Sequence, residues 1–246
     1  MEITEFHKEI PFLTTLQMIE VDRAMMEDYK IELIQMMENA GRNLAHLARI
    51  RFLENNPVEK QIVVLAGTGG NGGGSLVAAR RLHNWGANVK IVISKPPQNF
   101  TTIPGHQLDI TQRMNIPIYP SHQIKHVEKP VLILDGLIGY SLKGSPRGSI
   151  SEMINWANQQ STPILALDVP SGMDATSGTI FDPAIKATAT MTLALPKQGF
   201  QFPVVREMVG ELYVADISVP PELYASEKLG LTVNQLFALN EIFRLW

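Results

Sequence analysis

Short apolar runs alternate along the chain with segments whose apolar residues recur at helical spacing. Residues 14–52 show the helical spacing, with Thr14 or Thr15 as a start and a break at Asp28-Tyr29-Lys30, which predicts two helices. Continuous apolar runs predict strands buried on both faces; they cover residues 62–66, 89–94, 131–134, 163–167, 190–195 and 212–217. A short strand is expected at residues 117–119.

Helices are predicted between these strands. Ser75 is expected to cap a helix that Gly86 ends, and further helices are expected at residues 104–114 and 149–159. Strands that alternate with helices predict an α/β fold with a mostly parallel sheet covered on both faces, here with an N-terminal helical extension. The tail at residues 220–246 contains an amphipathic stretch, 231–246, that is expected to form a terminal helix or an interface segment.

Composition excludes several classes of function. The net charge is −3, so the chain lacks the basic excess that a nucleic-acid surface needs. The absence of cysteine excludes disulfides, thiol catalysis and thiolate metal sites, and it fits a reducing, cytoplasmic location. No apolar run approaches the roughly 18 residues of a membrane span, and residues 1–9 do not resemble a signal peptide.

The first candidate loop for chemistry follows the strand at residues 62–66. Six of the eight residues 67–74 are glycine, so backbone N–H groups there can approach an anion at the start of the next helix. Residues 67–72 match the glycine spacing of a dinucleotide fingerprint, but no acidic residue stands at 92–95 to hold a ribose. Phosphate or nucleotide contact is therefore the main interpretation, and a tight strand-to-helix turn is the alternative.

Two further loops follow strands that end in an aspartate. In the loop at residues 135–148, Lys143 and Arg147 suit an anionic ligand, although they could also be ordinary solvated charges. In the loop at residues 168–174, Asp168 either braces the turn or acts on a ligand. The three loops each offer one hard oxygen ligand, and the six histidines fit no zinc motif.

The order of these motifs resembles the NAD(P)H-hydrate epimerase family, whose members carry the YjeF N-terminal domain. The resemblance covers about residues 14–219. It is carried by Met36-Met37-Glu38-Asn39-Ala40-Gly41, residues 67–80, Asp135-Gly136-Leu137-Ile138-Gly139, Lys143-Gly144-x-x-Arg147, residues 167–174, residues 187–192 and Pro196-Lys197-x-Gly199.

The resemblance implies a Rossmann-like three-layer α/β/α sandwich, as a single domain of residues 1–246. It implies an isomerase that interconverts the R and S forms of NADHX and NADPHX, the hydrated forms of the nicotinamide cofactors. It also implies a homodimer, no nucleic-acid or membrane partner, and a separate NAD(P)H-hydrate dehydratase that acts on the S form.

The resemblance also implies the site residues. Asp168 is expected to be the catalytic carboxylate, and Lys143 to hold phosphate or to assist proton transfer. One potassium ion per subunit is expected on Asn71, Asp135 and Ser171. The expected nucleotide contacts are Gly69, Gly70, Asn71, Gly72, Gly73, Gly74, Gly139, Tyr140, Ser141, Leu142, Lys143, Gly144, Ser145 and Asp168.

The glycine loop departs from the family pattern at three positions. Gly70 stands where the family has Asn, Gly74 where it has Asp, and Ser75 where it has Gly. A non-catalytic relative that binds a nucleotide or a protein in the same cleft is therefore an alternative. An ordinary nicotinamide-dependent oxidoreductase is a third hypothesis, disfavoured by the missing acidic residue and the missing hydride-transfer site.

Overall fold

A computed structural model describes residues 3–246 of the protein. Eight strands form one sheet in the order β3-β2-β1-β4-β5-β6-β7-β8. The strands are β1 Gln61–Ala66, β2 Asn88–Ile93, β3 Ile118–Pro120, β4 Leu132–Gly136, β5 Ile164–Leu167, β6 Ala189–Leu193, β7 Glu211–Ala215 and β8 Ile242–Arg244. All neighbouring pairs are parallel except β7 with β8, so the mostly parallel sheet is confirmed.

Seven α-helices accompany the sheet in the described part of the chain. They are α1 Thr15–Glu27, α2 Leu33–Phe52, α3 Gly70–Asn84, α4 Thr102–Arg113, α5 Ser149–Gln159, α6 Arg206–Val209 and α7 Pro221–Tyr224. Short 3₁₀ turns occur at Pro97–Asn99, Ser121–His126, Gln198–Gln201 and Pro203–Val205. None of these helices is long and apolar enough to cross a membrane.

The alternation of side chains along the strands produces the three layers. In β1, Ile62 and Val64 pack on one face of the sheet with apolar residues of α2, α3 and α4. Val63 and Leu65 point to the other face and pack with apolar residues of α5 and of the turn at Ser121–His126. The expected α/β/α sandwich is therefore confirmed.

The N-terminal helices also match the expected extension. Thr14 caps α1, since its hydroxyl accepts a hydrogen bond from the Gln17 amide at 3.1 Å. Met18, Val21 and Met25 of α1 are buried in a cluster with Leu195 and Ile217, which follow β6 and β7. This packing places α1 beside the carboxyl ends of those strands.

Two predicted elements are wrong. Ser75 does not cap a helix: α3 begins at Gly70, with Gly69 as its N-cap, and Ser75 lies inside it. Residues 231–246 do not form a helix either; their last part forms β8, whose Phe243 ring stacks on Phe6 with centroids 4.5 Å apart. The prediction for residues 1–9 includes Met1 and Glu2, which lie outside the described residues.

Candidate active site

The three candidate loops lie side by side at one edge of the sheet. They follow β1, β4 and β5, which are neighbours in that order, and parallel strands present their carboxyl ends at the same edge. Strand order reverses between β1 and β4, because the chain moves from β1 outward to β2 and β3 and then returns to β4. Such a switch point is where open α/β sheets bind ligands.

Four of the six glycines after β1 lie at the start of α3 rather than in a loop ahead of it. Gly69 and Gly70 are exposed at the helix start, and no side chain caps its N–H groups. Gly72, Gly73 and Gly74 are buried. A β-carbon at Gly72 would lie 1.8 Å from the Gly67 carbonyl oxygen, so the tight approach there requires glycine. Of these three buried glycines, Gly74 lines a pocket beside Asp168.

Asp168 forms a buried ion pair with Lys197. The Lys197 Nζ lies 2.7 Å from the Asp168 Oδ1, and both side chains are almost completely buried. Lys197 also donates to the Thr192 hydroxyl and to the carbonyl oxygens of Leu193 and Leu195, at 3.0–3.1 Å. The Asp168 Oδ2 accepts no hydrogen bond from the described residues, which leaves this oxygen for a ligand.

Asp168 has a backbone conformation that few non-glycine residues adopt. Its φ is +66°, in the left-handed region, and Ala194 after the neighbouring strand β6 has a φ of +65°. Such conformations cost on the order of 1–3 kcal/mol each and cluster at functional sites. The turn after β5 therefore directs the carboxylate at an energetic cost that the surrounding packing must offset.

A pocket lies beside Asp168, between the strand ends and the N-terminal helices. Strand ends contribute Leu167, Asp168 and Leu193, and the start of α3 contributes Gly70, Asn71 and Gly74. The opposite walls are mostly apolar and come from Met18 and Asp22 of α1, from Tyr140 and Ile217, and from Leu33, Met36, Met37 and Ala40 of α2. A ring bound here would contact apolar side chains with a few polar groups directed at it, as is typical of small-molecule sites.

The loop after β4 contributes unequally to this pocket. Tyr140 lines it, and the Tyr140 hydroxyl donates a hydrogen bond to Asp22 of α1. Gly139 lies against Asn71, since a β-carbon there would be 2.5 Å from the Asn71 Oδ1. Leu142 is half-buried, whereas Ser141, Lys143, Gly144 and Ser145 are exposed, and none of these five lines the pocket.

Of the three residues predicted to hold potassium, Asp135 and Ser171 are hydrogen-bonded to each other, and Asn71 lies nearby. The Ser171 amide and hydroxyl donate to the two oxygens of Asp135, at 2.8 Å and 2.7 Å. The Ser171 hydroxyl also accepts from the Ile138 amide at 2.9 Å, and Asn71 lies against the next residue of that loop, Gly139. Asn71 itself donates to the Leu167 carbonyl oxygen at 2.7 Å.

The charge of Asp135 has no partner among the described residues. Asp135 is fully buried, and burial raises the pKa of its carboxyl to about 6, against hydrogen bonds from Ser171 and Leu137 that lower it. A cation beside these oxygens would offset that burial, so the donor set fits a hard monovalent ion.

Sequence reasoning missed two residues of the site. They are Lys197, which stands in the motif Pro196-Lys197-x-Gly199, and Asp22, which lies in the first predicted helix. A sequence signal for Lys197 is its place two residues after an apolar run, because a lysine that becomes buried there needs a partner. The helical spacing around Asp22 gives no such signal.

Comparison with known proteins decides the family. The family model described as YjeF-related protein N-terminus matches residues 33–199, more than half of the chain. The chain belongs to this family.

Curated relatives agree with the family assignment. NAD(P)H-hydrate epimerase of Dehalogenimonas lykanthroporepellens is 38% identical over 86% of this chain and 84% of its own length. NAD(P)H-hydrate epimerase of Rhodopirellula baltica is 31% identical over 87% of each chain. The bifunctional NAD(P)H-hydrate repair enzyme Nnr of Moorella thermoacetica is 32% identical over 87% of this chain, but the chain spans only 42% of that longer protein.

A solved structure shares the fold of this chain. The crystal structure of yeast ynu0 superposes with a TM-score of 0.81 and covers 96% of this chain and 100% of its own, at 24% identity. The Rossmann-like α/β sandwich of this chain is therefore also the fold of a measured structure.

Proposed function

We propose that this chain is an NAD(P)H-hydrate epimerase, which interconverts the R and S forms of NADHX and NADPHX. The observation that carries the proposal is Asp168: a carboxylate held through one oxygen by Lys197, with its other oxygen left for a pocket at the switch point of the sheet. The family and the names of the curated relatives support it.

The reaction inverts one carbon, C6 of the hydrated nicotinamide ring. The C6 hydroxyl must take a proton and leave as water, which gives a planar cationic ring, and water must then add to the other face and lose a proton. Asp168 can transfer a proton to or from the oxygen at C6, and its charge stabilises the cationic ring. Lys197 holds one oxygen of the Asp168 carboxylate in place through its ion pair.

The nucleotide phosphates would lie at the start of α3. Gly69 and Gly70 leave the first N–H groups of this helix open, and the helix dipole favours an anion there. Lys143 is exposed on the loop after β4, from which it could hold a phosphate; we propose this role rather than proton transfer, because it does not line the pocket.

We also propose the potassium ion that the resemblance implies. Asp135, Ser171 and Asn71 would hold it, and it would supply positive charge to the Asp135 carboxylate and order the loop after β4. The homodimer and the separate dehydratase are likewise proposals. Relatives named bifunctional repair enzymes support the link to a second repair activity.

A coupled assay tests the proposed function. An equilibrated mixture of R- and S-NADHX is incubated with a purified S-specific dehydratase, with and without this protein. We expect the R form to be consumed faster with the protein present. Equal consumption of the R form in both incubations would contradict the proposal.

Gly70 and Gly74 favour one other function, a non-catalytic relative that binds the nucleotide in the same cleft. Such a protein would bind NADHX and leave the R form unconverted in the same assay.

A further inference from the structure

Inversion at one carbon needs proton transfer on both faces of the ring. The hydroxyl leaves from one face with a proton, and water adds to the opposite face and gives up a proton. Asp168 comes from the strand side of the pocket and can serve one face. The inference below rests on the proposed epimerase function and asks which group serves the other face.

Asp22 and Tyr140 occupy a different wall of the same pocket. Asp22 lies on α1, Tyr140 lies in the loop after β4, and both line the pocket together with Asp168. The Tyr140 hydroxyl donates to the Asp22 Oδ2. The Asp22 Oδ1 accepts no hydrogen bond from residues 3–246, so this oxygen is available to a ligand.

The two carboxylates have different surroundings. Asp168 has Lys197 as its ion partner, whereas the cation next to Asp22 in sequence, Arg23, forms its ion pairs with Glu20, Glu27 and Asp28. Burial raises the pKa of Asp22; the hydrogen bond from Tyr140 and the charge of Lys197 oppose this rise, and the charge of Asp168 adds to it. Tyr224 of α7 also lies near Asp22.

We propose that Asp22, held by Tyr140, is a second catalytic acid–base residue, which exchanges a proton with the oxygen on the ring face opposite Asp168. Two carboxyl groups whose surroundings differ are the common arrangement for an acid and a base that work as a pair.

The steps balance as follows. In one direction the protonated Asp22 gives its proton to the C6 hydroxyl, the carbon–oxygen bond breaks, and water leaves the cationic ring. A second water adds on the other face, a carbon–oxygen bond forms, and its proton passes to Asp168. A proton then returns from Asp168 to Asp22 through solvent, and the reverse reaction uses the two groups in exchanged roles.

Isotope exchange separates this arrangement from a structural role of Asp22. Each purified epimer of NADHX is incubated in ¹⁸O-labelled water with wild type, Asp22→Asn or Asp168→Asn, and both label and configuration at C6 are measured. Wild type should label and invert both epimers. Asp22→Asn should invert at least about 100-fold more slowly than wild type. It should still exchange label, with retention, in the epimer whose hydroxyl lies on the face that Asp168 serves. Asp168→Asn should exchange label only in the other epimer.

Glu20→Gln is the matched control, because it removes a carboxylate from the same helix outside the pocket. It should stay within about twofold of wild type. Inversion by Asp22→Asn within about threefold of wild type would overturn the proposal. So would the loss of label exchange from both epimers, which indicates general damage to the site. If wild type itself neither labels nor inverts, the epimerase function has failed and this inference falls with it.

Tyr140→Phe provides a second readout that keeps the Asp22 carboxyl. The hydrogen bond from Tyr140 lowers the pKa of Asp22, so its loss should raise that pKa and extend the acid form to higher pH. The inversion rate falls where Asp22 loses its proton, so in Tyr140→Phe this fall should occur at a higher pH than in wild type. A profile that superimposes on that of wild type would remove Tyr140 from the proposal.

Discussion

Asp168 and Lys197 carry opposite charges inside the protein, where water screens neither of them. The hydrogen bonds of Lys197 to Thr192, Leu193 and Leu195 fix its ammonium group, and the ammonium group in turn fixes one oxygen of the carboxylate. Of these residues only Leu193 lines the pocket, so the position of the second oxygen is set mainly by residues outside it.

Removal of one partner from this pair should lower stability as well as activity. Asp168→Asn leaves the Lys197 charge buried without a counter-ion, at a cost of about 3–5 kcal/mol in the free energy of unfolding. The double variant Asp168→Asn/Lys197→Met should recover part of that loss. Urea unfolding of both variants measures the effect.

Asp109→Asn is the control for this prediction, because it breaks the exposed ion pair with Arg113, worth about 1 kcal/mol at most. An Asp168→Asn variant as stable as Asp109→Asn would show that the buried pair contributes little.

Gly70 and Gly74 differ in the space around them. A side chain at Gly70 would meet no atom within 4 Å of its β-carbon, whereas one at Gly74 would lie 2.9 Å from a methyl group of Leu167. Both glycines are helical and neither has a positive φ, so glycine is not needed for backbone freedom at either position.

Restoring the family side chains should therefore improve binding. Each buried hydrogen bond regained is worth about 1–3 kcal/mol, so Gly70→Asn/Gly74→Asp should bind NADHX about tenfold more tightly or turn it over faster. Gly70→Asn should leave stability unchanged, and Gly74→Asp should lower it slightly, since Leu167 must move. Titration calorimetry and thermal unfolding of both single variants and the double variant measure this. Unchanged affinity and rate in a folded double variant would show that the departures are neutral.

Asp135 gives the potassium proposal a direct test. A cation that binds the folded protein and not the unfolded chain raises its stability, so potassium should raise the melting temperature relative to choline. The Asp135→Asn variant should have the same melting temperature in potassium and in choline. A melting temperature of wild type that is the same in both salts would contradict the site.

At the scale of elements, helix α3 shows what local patterns do and do not fix. Ser75 has the side chain of an N-cap, but its hydroxyl donates to the Gly72 carbonyl oxygen at 2.8 Å inside the helix. Glycines are poor helix formers, but at Gly72 and Gly73 only glycine allows the close approach to Gly67 and Met37. Tertiary packing thus places the N-cap of the helix six residues before the position that local propensity favours.

The end of the chain shows the same limit. The apolar spacing of residues 231–246 is compatible with a helix, yet Ile242 and Phe243 pair with the free edge of β7. An unpaired edge strand is a source of free backbone N–H and C=O groups, and a segment that pairs with it satisfies them. No local sequence signal reports that β7 has a free edge.

An ion pair joins the end of α2 to the start of β7. Arg51 donates two hydrogen bonds of 2.8 Å to Glu211, and these bonds hold the pKa of Glu211 at about 2, well below its usual range. Because the folded pKa lies below the unfolded one of 4.5, the pair stabilises fully above about pH 4.5 and its contribution is lost as pH falls toward 2.

Glu211→Gln should therefore lower the free energy of unfolding by about 1 kcal/mol at pH 7. The expected effect is small because the pair is partly exposed and water screens it. The difference from wild type should shrink between pH 4.5 and pH 2. Urea unfolding across this range measures it. Glu227→Gln removes an exposed carboxylate without an ion pair in the described part of the chain; as the control it should leave stability at pH 7 within about 0.5 kcal/mol of wild type. A Glu211→Gln difference that is constant with pH would contradict the assignment.

At the scale of the whole molecule, the alternation of buried runs and helical segments predicts the layers, the parallel sheet and the edge where the loops meet. These features follow from local hydrophobic patterns and from the rule that parallel strands need crossovers. The pairing of Lys197 with Asp168, and the presence of Asp22 across the pocket, depend on which distant elements the fold brings together. Sequence spacing carries no information on either contact.

The most direct test of the account is the rate at which folded Asp168→Asn converts purified R-NADHX to S-NADHX, followed by chiral chromatography at a temperature where the variant is fully folded. The account predicts that wild type accelerates the conversion over the rate without protein, and that Asp168→Asn is slower than wild type by about two to four orders of magnitude. A folded Asp168→Asn variant with a rate within about threefold of wild type would contradict it.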